Sequence, residues 1–298
     1  MNHDASSDSL QPRLEFVTCL SPAGLHRMAY WEWGDPTNDH VLVCAHGLTR
    51  SGRDFDALAR RMAARYRVVC PDVVGRGRSD WLVNPAYYTV PQYVADMMPL
   101  LARVQAETLH WFGTSLGGLI GMALAGLQAS PIDKLVLNDV GPHLDPAALA
   151  RIGQYVGKAP AFGSFDEAKA YVSAVSASLG PHTPEQWDEL TRHVVRQVDG
   201  PAGPWTMHYD PAIAEAFAAM DPATAIAAEA ALWHVYTNVE CPILIVRGEH
   251  SDLLTEDTVA GMLARNPHAQ RVDVAGVGHA PTFMTSAQLD LVDDFLRG

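Results

Sequence analysis

Hydrophobic residues along the chain form short runs that alternate with stretches of helical periodicity. From the third run onward they are almost uninterrupted, a pattern typical of strands that are covered on both faces of a parallel sheet. The first two runs alternate between hydrophobic and polar positions, which predicts an antiparallel hairpin at one edge of the sheet. The predicted strands are RLEFVTCL, HRMAYWEWG, HVLVCAHG, RVVCPDV, TLHWFG, KLVLNDVG, PILIVRGE and QRVDVAG.

Helical patterns separate the later strands. They include RDFDALARRMAARY, VPQYVADMMPLLARVQ, SLGGLIGMALAGLQA and, at the end, SAQLDLVDDFLRG. Such alternation of strands and helices predicts an α/β fold, in which a mostly parallel sheet of eight strands is flanked by helices.

The alternation is interrupted once, between Pro142 and Val239. That segment contains helical patterns separated by Pro and Gly and no convincing strand; several begin with a capping residue before Pro, such as Asp145 and Thr183. Insertions of this size in a compact fold are usually functional lids, so we expect a helical cap. The predicted division is an N-terminal part of the core at 1–141, a cap at 142–238 and a C-terminal part of the core at 239–298.

The stretch HWFGTSLGGLIGM places Ser115 between Gly113 and Gly117, directly after a predicted buried strand. A strand that turns into a helix so abruptly holds the turn residue in a strained backbone conformation, and glycines on either side leave room for it. The G-x-S-x-G pattern in this setting predicts a nucleophile elbow with an exposed serine hydroxyl. The N-terminus of the following helix would point at this serine and favour negative charge there.

A serine hydroxyl becomes a good nucleophile when a base takes its proton, and that base needs an orienting acid. After an elbow serine, the acid precedes the histidine along the chain. GVGHAPTF supplies His279 and RGEHSD supplies Asp252, each just after a predicted strand, where open α/β sheets build their sites. We favour Asp252 as the acid. Asp139, at the end of the neighbouring strand, is the main alternative, and Glu249 is a further competitor.

Negative charge on a tetrahedral intermediate requires hydrogen-bond donors. The backbone N–H of Leu116, just after the serine, is the first predicted donor. The loop CAHGLTRSGRDFD supplies the second, the N–H of Leu48, after a tight turn that Gly47 permits. His46 in the same loop is interpreted as a residue that braces the loop, in preference to a second base.

Taken together, HG at 46–47, PDVVGRGRSD, GTSLGG, RGEHSD and GVGHAP resemble the α/β-hydrolase superfamily over essentially the whole chain. NDVGP and GVGHAPT look most like bacterial carboxylesterases, including relatives that resemble polyester and short-chain ester hydrolases. The resemblance implies a helical cap over a serine-hydrolase site, with neither a metal nor an organic cofactor. The loop at 46–49 differs from the longer glycine-rich form of some lipases.

These features predict a carboxylic-ester hydrolase that works through an acyl-enzyme on Ser115. The same three residues would also serve cleavage of a carbon–carbon bond in a diketone, or of an amide or lactone. Epoxide or haloalkane hydrolysis needs a carboxylate at the elbow, which the serine contradicts, and a non-catalytic receptor is the remaining alternative. Arg50, Trp205 and Trp233 are candidate substrate contacts, and Tyr209 is among the other cap aromatics that are plausible walls for an apolar group. An arginine at the rim is more often a structural or solvated charge, and a cap aromatic is more often part of the cap core.

The composition and charge of the chain limit the kinds of molecule that it can bind. The 298 residues are 48% hydrophobic and carry a formal net charge of −13, without the basic stripe that nucleic-acid binding requires. GRGRSD superficially resembles a phosphate-binding loop but lacks the glycine and lysine pattern of one. We expect a small-molecule or oligomeric ester as substrate and no nucleic acid. The oligomeric state is not predicted.

The cysteine pattern and the absence of membrane signals indicate a cytoplasmic protein. The four cysteines lie in or beside hydrophobic runs without CxxC spacing, as expected of thiols in a reducing compartment. No hydrophobic run approaches the roughly 20 residues needed to span a bilayer. The start of the chain, MNHDASSDSLQPR, lacks the basic and apolar regions of an export signal.

Overall fold

A computed structural model describes residues 11–218 and 222–298. Residues 1–10, on which the expectation about an export signal mainly rests, lie outside the described residues. The main feature is an eight-stranded sheet. Its strands are β1 (Arg13–Ser21), β2 (Gly24–Trp33), β3 (His40–Ala45), β4 (Arg67–Pro71), β5 (Thr108–Thr114), β6 (Lys134–Asn138), β10 (Ile243–Gly248) and β11 (Ala269–Val274). They lie in the order β1-β2-β4-β3-β5-β6-β10-β11.

The sheet confirms the predicted fold class. β1 pairs with β2 and β2 with β4 in antiparallel fashion, whereas the neighbours from β4 to β11 are all parallel. The predicted hairpin therefore forms one edge of a mostly parallel sheet. The described helices are α1 (Asp56–Met62), α2 (Val90–Val104), α3 (Leu116–Ala125), α4 (Pro146–Gly153), α5 (Phe165–Val175), α6 (Pro184–Arg192), α7 (Ile213–Ala218), α8 (Pro222–Thr237), α9 (Glu256–Arg265) and α10 (Ser286–Arg297).

The core lies on both faces of the sheet, which explains the uninterrupted hydrophobic runs. Successive side chains of a strand point to opposite faces, and β5 illustrates this with Trp111 and Phe112. Both are fully buried, Trp111 in the cluster on one face and Phe112 in the cluster on the other. All four cysteines are free thiols, and Cys19, Cys44 and Cys70 are buried.

The segment between β6 and β10 contains α4 to α8, as its helical patterns predict, but the expectation that it lacks strands is wrong. Three short strands, β7 (Ala161–Phe162), β8 (Val195–Gln197) and β9 (Trp205–Met207), form a separate antiparallel sheet in the order β7-β9-β8. This sheet packs on its own apolar cluster, with Val172 and Val195 at its centre. Strands of two or three residues are too short to show an alternating pattern, so the sequence gives no sign of them.

Every helix in the described ranges is too short or too polar to cross a lipid bilayer.

The close packing of α3 against β5 leads to a stability prediction. A Cβ on Gly121 would overlap the indole nitrogen of Trp111, which is fully buried and donates a hydrogen bond to the Gly117 carbonyl at 3.0 Å. Gly121→Ala is therefore expected to lower the free energy of unfolding by about 2 kcal/mol, as overpacking does in other cores. Urea denaturation measures this loss.

Gly163→Ala is the matched control, because the nearest atom to its added Cβ lies at 3.4 Å and belongs to the Glu167 side chain. The control should change stability by no more than about 0.5 kcal/mol. Equal stabilities of the two variants would contradict the packing argument.

Candidate active site

Ser115 occupies the sharp turn between β5 and α3. Its backbone has φ 51° and ψ −114°, a region that residues other than glycine rarely adopt. The neighbouring glycines make this turn possible: a Cβ on Gly113 would overlap the backbone of Gly117, and one on Gly117 would overlap the carbonyl of Ala45. The strand, the turn and the helix thus have the geometry expected of a nucleophile elbow.

The imidazole of His279 lies between Ser115 and a carboxylate. His279 Nε2 is 3.0 Å from Ser115 Oγ, and His279 Nδ1 is 2.7 Å from Asp139 Oδ2. His279 follows β11, and Asp139 follows β6, the strand next to β5 in the sheet. A hydroxyl, an imidazole and a carboxylate therefore form one continuous chain of hydrogen-bonding groups at the carboxyl edge of the sheet.

Asp139 is fully buried, and its carboxylate is held by three donors. Besides the His279 imidazole, the N–H of Gly248 donates to Oδ1 at 2.8 Å and the hydroxyl of Ser251 donates to Oδ2 at 2.6 Å. A buried charge is tolerated when hydrogen bonds replace its lost hydration. These bonds fix the carboxylate in the position from which it contacts His279.

The preference for Asp252 as the acid is corrected by this geometry. Asp252 accepts two hydrogen bonds from the guanidinium of Arg151, at 2.7 and 2.8 Å, and no bond joins it to His279. Burial alone would raise the pKa of the Asp252 carboxyl, but the hydrogen bonds and the charge of Arg151 outweigh burial and lower that pKa.

The other residues of the loop after β10 explain why Asp252 was a plausible choice. The loop does reach the site, but through Ser251, whose hydroxyl binds Asp139. Glu249 does not reach the imidazole either, because it is exposed and accepts a hydrogen bond from the N–H of Gly276 at 2.8 Å. The carboxylates of Asp139 and Asp252 follow neighbouring strands, so spacing along the chain does not distinguish them.

The two predicted oxyanion donors both lie near Ser115. Leu116 is the first residue of α3, and Leu48 lines the same cleft as Ser115. A Cβ built on Gly47, next to Leu48, would lie 3.8 Å from the Ser115 Cβ. Neither the Leu48 nor the Leu116 N–H donates a hydrogen bond to another group in the described part of the chain. Both are therefore free to bind an oxygen of a substrate.

His46 braces the loop that carries Leu48. Its Nε2 accepts a hydrogen bond from the N–H of Val73 at 2.9 Å, so its Nδ1 carries the proton that is donated to the Gly47 carbonyl at 2.7 Å. Burial lowers the pKa of His46 to about 3. This histidine is neutral and fully engaged, which supports its interpretation as a structural residue.

Arg76, from the GRGRSD segment, also stabilises the loop that carries Leu48. Its side chain is fully buried, Nε donates to the Leu48 carbonyl at 2.8 Å, and Nη1 donates to the Val74 carbonyl and the Tyr93 hydroxyl. This segment therefore positions the loop beside the serine through a buried guanidinium.

The cleft above Ser115 has a volume of about 110 Å³ and mainly apolar walls. Residues of the segment 142–238 that contribute to these walls are Ile152, Tyr155, Tyr171, Val172, Val175, Leu179, Leu190, Met207 and Tyr209. Tyr209 is the one cap aromatic among these residues that the sequence offered as a wall. The other eight were missed, because nothing in the sequence pattern of the cap shows which of its residues face a distant serine.

Of the three residues predicted to contact the substrate, only Arg50 lies in the catalytic cleft. Arg50 lines the cleft, but its guanidinium binds Asp54 at 2.6 and 2.7 Å and the Leu190 carbonyl at 3.0 Å. The prediction that Trp205 and Trp233 contact the substrate is corrected, since neither is among the described residues that line the cleft. Trp205 packs against Phe165, and Trp233 packs against Tyr236 and Arg265. Both tryptophans serve local packing.

Among the described residues, one cluster has the donor types of a metal site: Cys19, His26 and Asp96, all buried. These groups already interact, with His26 Nε2 3.1 Å from Asp96 Oδ2 and Cys19 Sγ 3.5 Å from the Asp96 carbonyl oxygen. Burial also raises the pKa of Cys19 to about 12, which disfavours the thiolate that binds metals. The cluster lies at the β1–β2 edge, three strands away from β5.

Both the chain and its fold are similar to known proteins. A family model described as "alpha/beta hydrolase fold" matches residues 40–283. The chain is 56% identical to a 3-hydroxybutyrate-oligomer hydrolase of Cupriavidus necator, over 97% of this chain and 99% of that protein.

Two solved structures are also similar. A putative hydrolase from Rickettsia typhi superposes with a TM-score of 0.86 at 30% identity, covering 96% of this chain and 99% of that one. An alpha/beta hydrolase from Novosphingobium aromaticivorans gives 0.83 at 33% identity, covering 96% and 98%.

Proposed function

Because the chain belongs to the α/β-hydrolase family and is a carboxylic-ester hydrolase, we propose that it cleaves short oligomers of 3-hydroxybutyrate with Ser115 as the nucleophile. The observation that carries the catalytic part is the hydrogen-bonded chain from Ser115 through His279 to Asp139. The choice of substrate is supported by the 56% identity between this chain and a 3-hydroxybutyrate-oligomer hydrolase, which holds over almost the whole length of both proteins. A small apolar cleft also suits a short acyl unit with a methyl branch.

In the first half of the reaction, His279 Nε2 takes the proton of Ser115 Oγ as the oxygen attacks the ester carbonyl carbon. Asp139 holds the Nδ1–H of the imidazole and stabilises the imidazolium that forms. The N–H groups of Leu116 and Leu48 bind the developing oxyanion. The bond from the carbonyl carbon to the ester oxygen then breaks, His279 gives its proton to that oxygen so that the alcohol leaves, and a 3-hydroxyacyl ester remains on Ser115.

In the second half, a water molecule takes the place of the released alcohol. His279 takes a proton from this water, whose oxygen attacks the acyl-enzyme carbonyl, and the same two N–H groups bind the second oxyanion. Collapse returns the proton to Ser115 Oγ and releases the acid. The reaction therefore consumes one water for each ester bond cleaved.

The segment 142–238 acts as the cap in this proposal, between the two parts of the core at 1–141 and 239–298. It supplies most of the apolar walls, with Tyr155 and Val172 among them. Such walls exclude water from the acyl group and strengthen the electrostatic interactions in the site. We place the enzyme in the cytoplasm, a location that the four free thiols support.

The substrate proposal predicts a narrow range of acyl groups. The purified protein should release 3-hydroxybutyrate from the linear trimer, and it should cleave p-nitrophenyl butyrate at least about tenfold more efficiently than p-nitrophenyl palmitate, because a small cleft binds short acyl groups best. Steady-state kcat/KM values, with product identified by chromatography, measure both effects.

Ser115→Ala protein prepared in parallel is the control for contaminating esterases. Cleavage of a diketone without cleavage of the trimer would contradict the proposal and move the enzyme to the carbon–carbon hydrolases that use the same residues.

A further inference from the structure

A second cleft lies beside the catalytic one and shares part of its wall. The two clefts share five wall residues from the cap and its edge: Arg151, Tyr155, Tyr171, Val175 and Ser178. The second cleft, called the outer cleft below, has a volume of about 620 Å³ and is also lined by Gln154, Lys158, His250 and Asp252. A substrate longer than one acyl unit that extends past these shared walls meets the outer cleft next.

Among the described residues, the charges of the outer cleft leave one cation, Lys158, without a partner. Arg151 and Asp252 neutralise each other through two hydrogen bonds. Lys158 is exposed, and its ammonium group has neither an ion pair nor a hydrogen bond to any residue in the described ranges. In a chain with a formal net charge of −13, an ammonium group that has no partner within the described ranges, in a cleft that borders the catalytic one, is a local site for an anion.

We propose that Lys158 binds the terminal carboxylate of a linear hydroxyacid oligomer in the outer cleft, an inference that rests on the proposed function. In such an oligomer, the acyl side of every ester bond leads to the hydroxyl end, and the alcohol side leads to the carboxylate end. An oligomer with its carboxylate at Lys158 and an ester carbonyl at Ser115 thus has its leaving group in the outer cleft. The outer cleft fixes the direction in which the substrate lies across the serine.

The test compares two forms of the 3-hydroxybutyrate trimer, the free acid and its terminal N-methylamide, which lacks the charge and adds no ester bond. Lys158→Gln is expected to raise KM about fivefold for the free acid, as for a partly exposed ion pair, with kcat little changed. The KM for the amide should not change. For the wild-type protein, added salt should raise the KM of the acid more than that of the amide.

Lys169→Gln is the matched control, because it removes the same charge from the cap at a residue that pairs with Asp188 and does not line either cleft. This variant should leave both KM values unchanged. Equal effects of Lys158→Gln on acid and amide, no effect on either, or the same effect from Lys169→Gln would overturn the carboxylate site.

The two proposals fail in different ways. If the wild-type protein cleaves p-nitrophenyl butyrate but neither form of the trimer, the oligomer substrate is wrong and the carboxylate site is rejected with it. If it cleaves both forms and Lys158→Gln does not discriminate between them, the oligomer substrate stands and only the carboxylate site is wrong.

Discussion

Replacing Ser115 with alanine is expected to lower kcat for p-nitrophenyl butyrate by at least about a thousandfold. The variant keeps the cleft and the oxyanion donors but loses the oxygen that lies 3.0 Å from His279 Nε2. Alanine meets the same backbone strain at φ 51° as serine does, so the fold should persist with similar stability. Turnover at saturating substrate, together with a urea denaturation curve, measures both parts of this expectation.

Ser173→Ala is a suitable control for that experiment. Ser173 lies in α5, its hydroxyl donates to the Lys169 carbonyl within the helix at 2.7 Å, and it does not line the catalytic cleft. This variant should retain wild-type turnover. Undiminished ester cleavage by Ser115→Ala protein, free of contaminating activity, would mean that another group is the nucleophile.

Asp139→Asn is expected to lower kcat by about three to four orders of magnitude. The carboxylate accepts the hydrogen bond from His279 Nδ1 at 2.7 Å and would stabilise the imidazolium. An amide carries no charge, and its NH₂ group would face one of the donors that now bind the carboxylate, the N–H of Gly248 or the hydroxyl of Ser251. Because these groups are buried, stability should also fall by about 1–3 kcal/mol.

Asp252→Asn is the decisive comparison, since Asp252 is the acid that the sequence favoured. Its carboxylate binds Arg151 at the surface of the outer cleft, and no hydrogen bond joins it to the imidazole. We expect at most a several-fold change in kcat for p-nitrophenyl butyrate. A steep loss in Asp252→Asn with a small loss in Asp139→Asn would return the role of the acid to Asp252.

The large sheet was predictable because its strands are covered on both faces. This burial appears in the sequence as uninterrupted hydrophobic runs. The segment at β10, for example, is buried at every position. The three short strands of the cap were not predictable, because each depends on antiparallel partners far along the chain. β7 pairs Phe162 with Trp205, and β8 pairs Val195 with Met207.

The candidate site also has a part that the sequence predicts and a part that it does not. Ser115 was recognised from local features: the turn requires glycines at 113 and 117, and these appear in the sequence. The partner of His279 depends on contacts between distant segments. Arg151, which lies 101 positions from Asp252, binds that carboxylate, while Ser251 donates to Asp139 across 112 positions. Spacing and strand ends leave both carboxylates possible, and side-chain packing decides between them.

The resemblance to the α/β-hydrolase superfamily, inferred from five short motifs, is confirmed by the family match over residues 40–283. Those motifs lie in the loops at the carboxyl edge of the sheet, where strands β3, β4, β5, β10 and β11 end. The cap contributed none of them. Its wall residues come from helices, a short strand and loops without a recognisable motif, and for this reason the substrate could not be derived from the sequence.

Labelling with an alkyl fluorophosphonate, followed by mass spectrometry of the labelled peptide, tests the central claim most directly. We predict one phosphonate per chain, attached to Ser115, absent from Ser115→Ala and formed much more slowly in Asp139→Asn than in Asp252→Asn. Attachment at another residue, or labelling that depends on Asp252 and not on Asp139, would contradict the arrangement of Ser115, His279 and Asp139 as the catalytic unit.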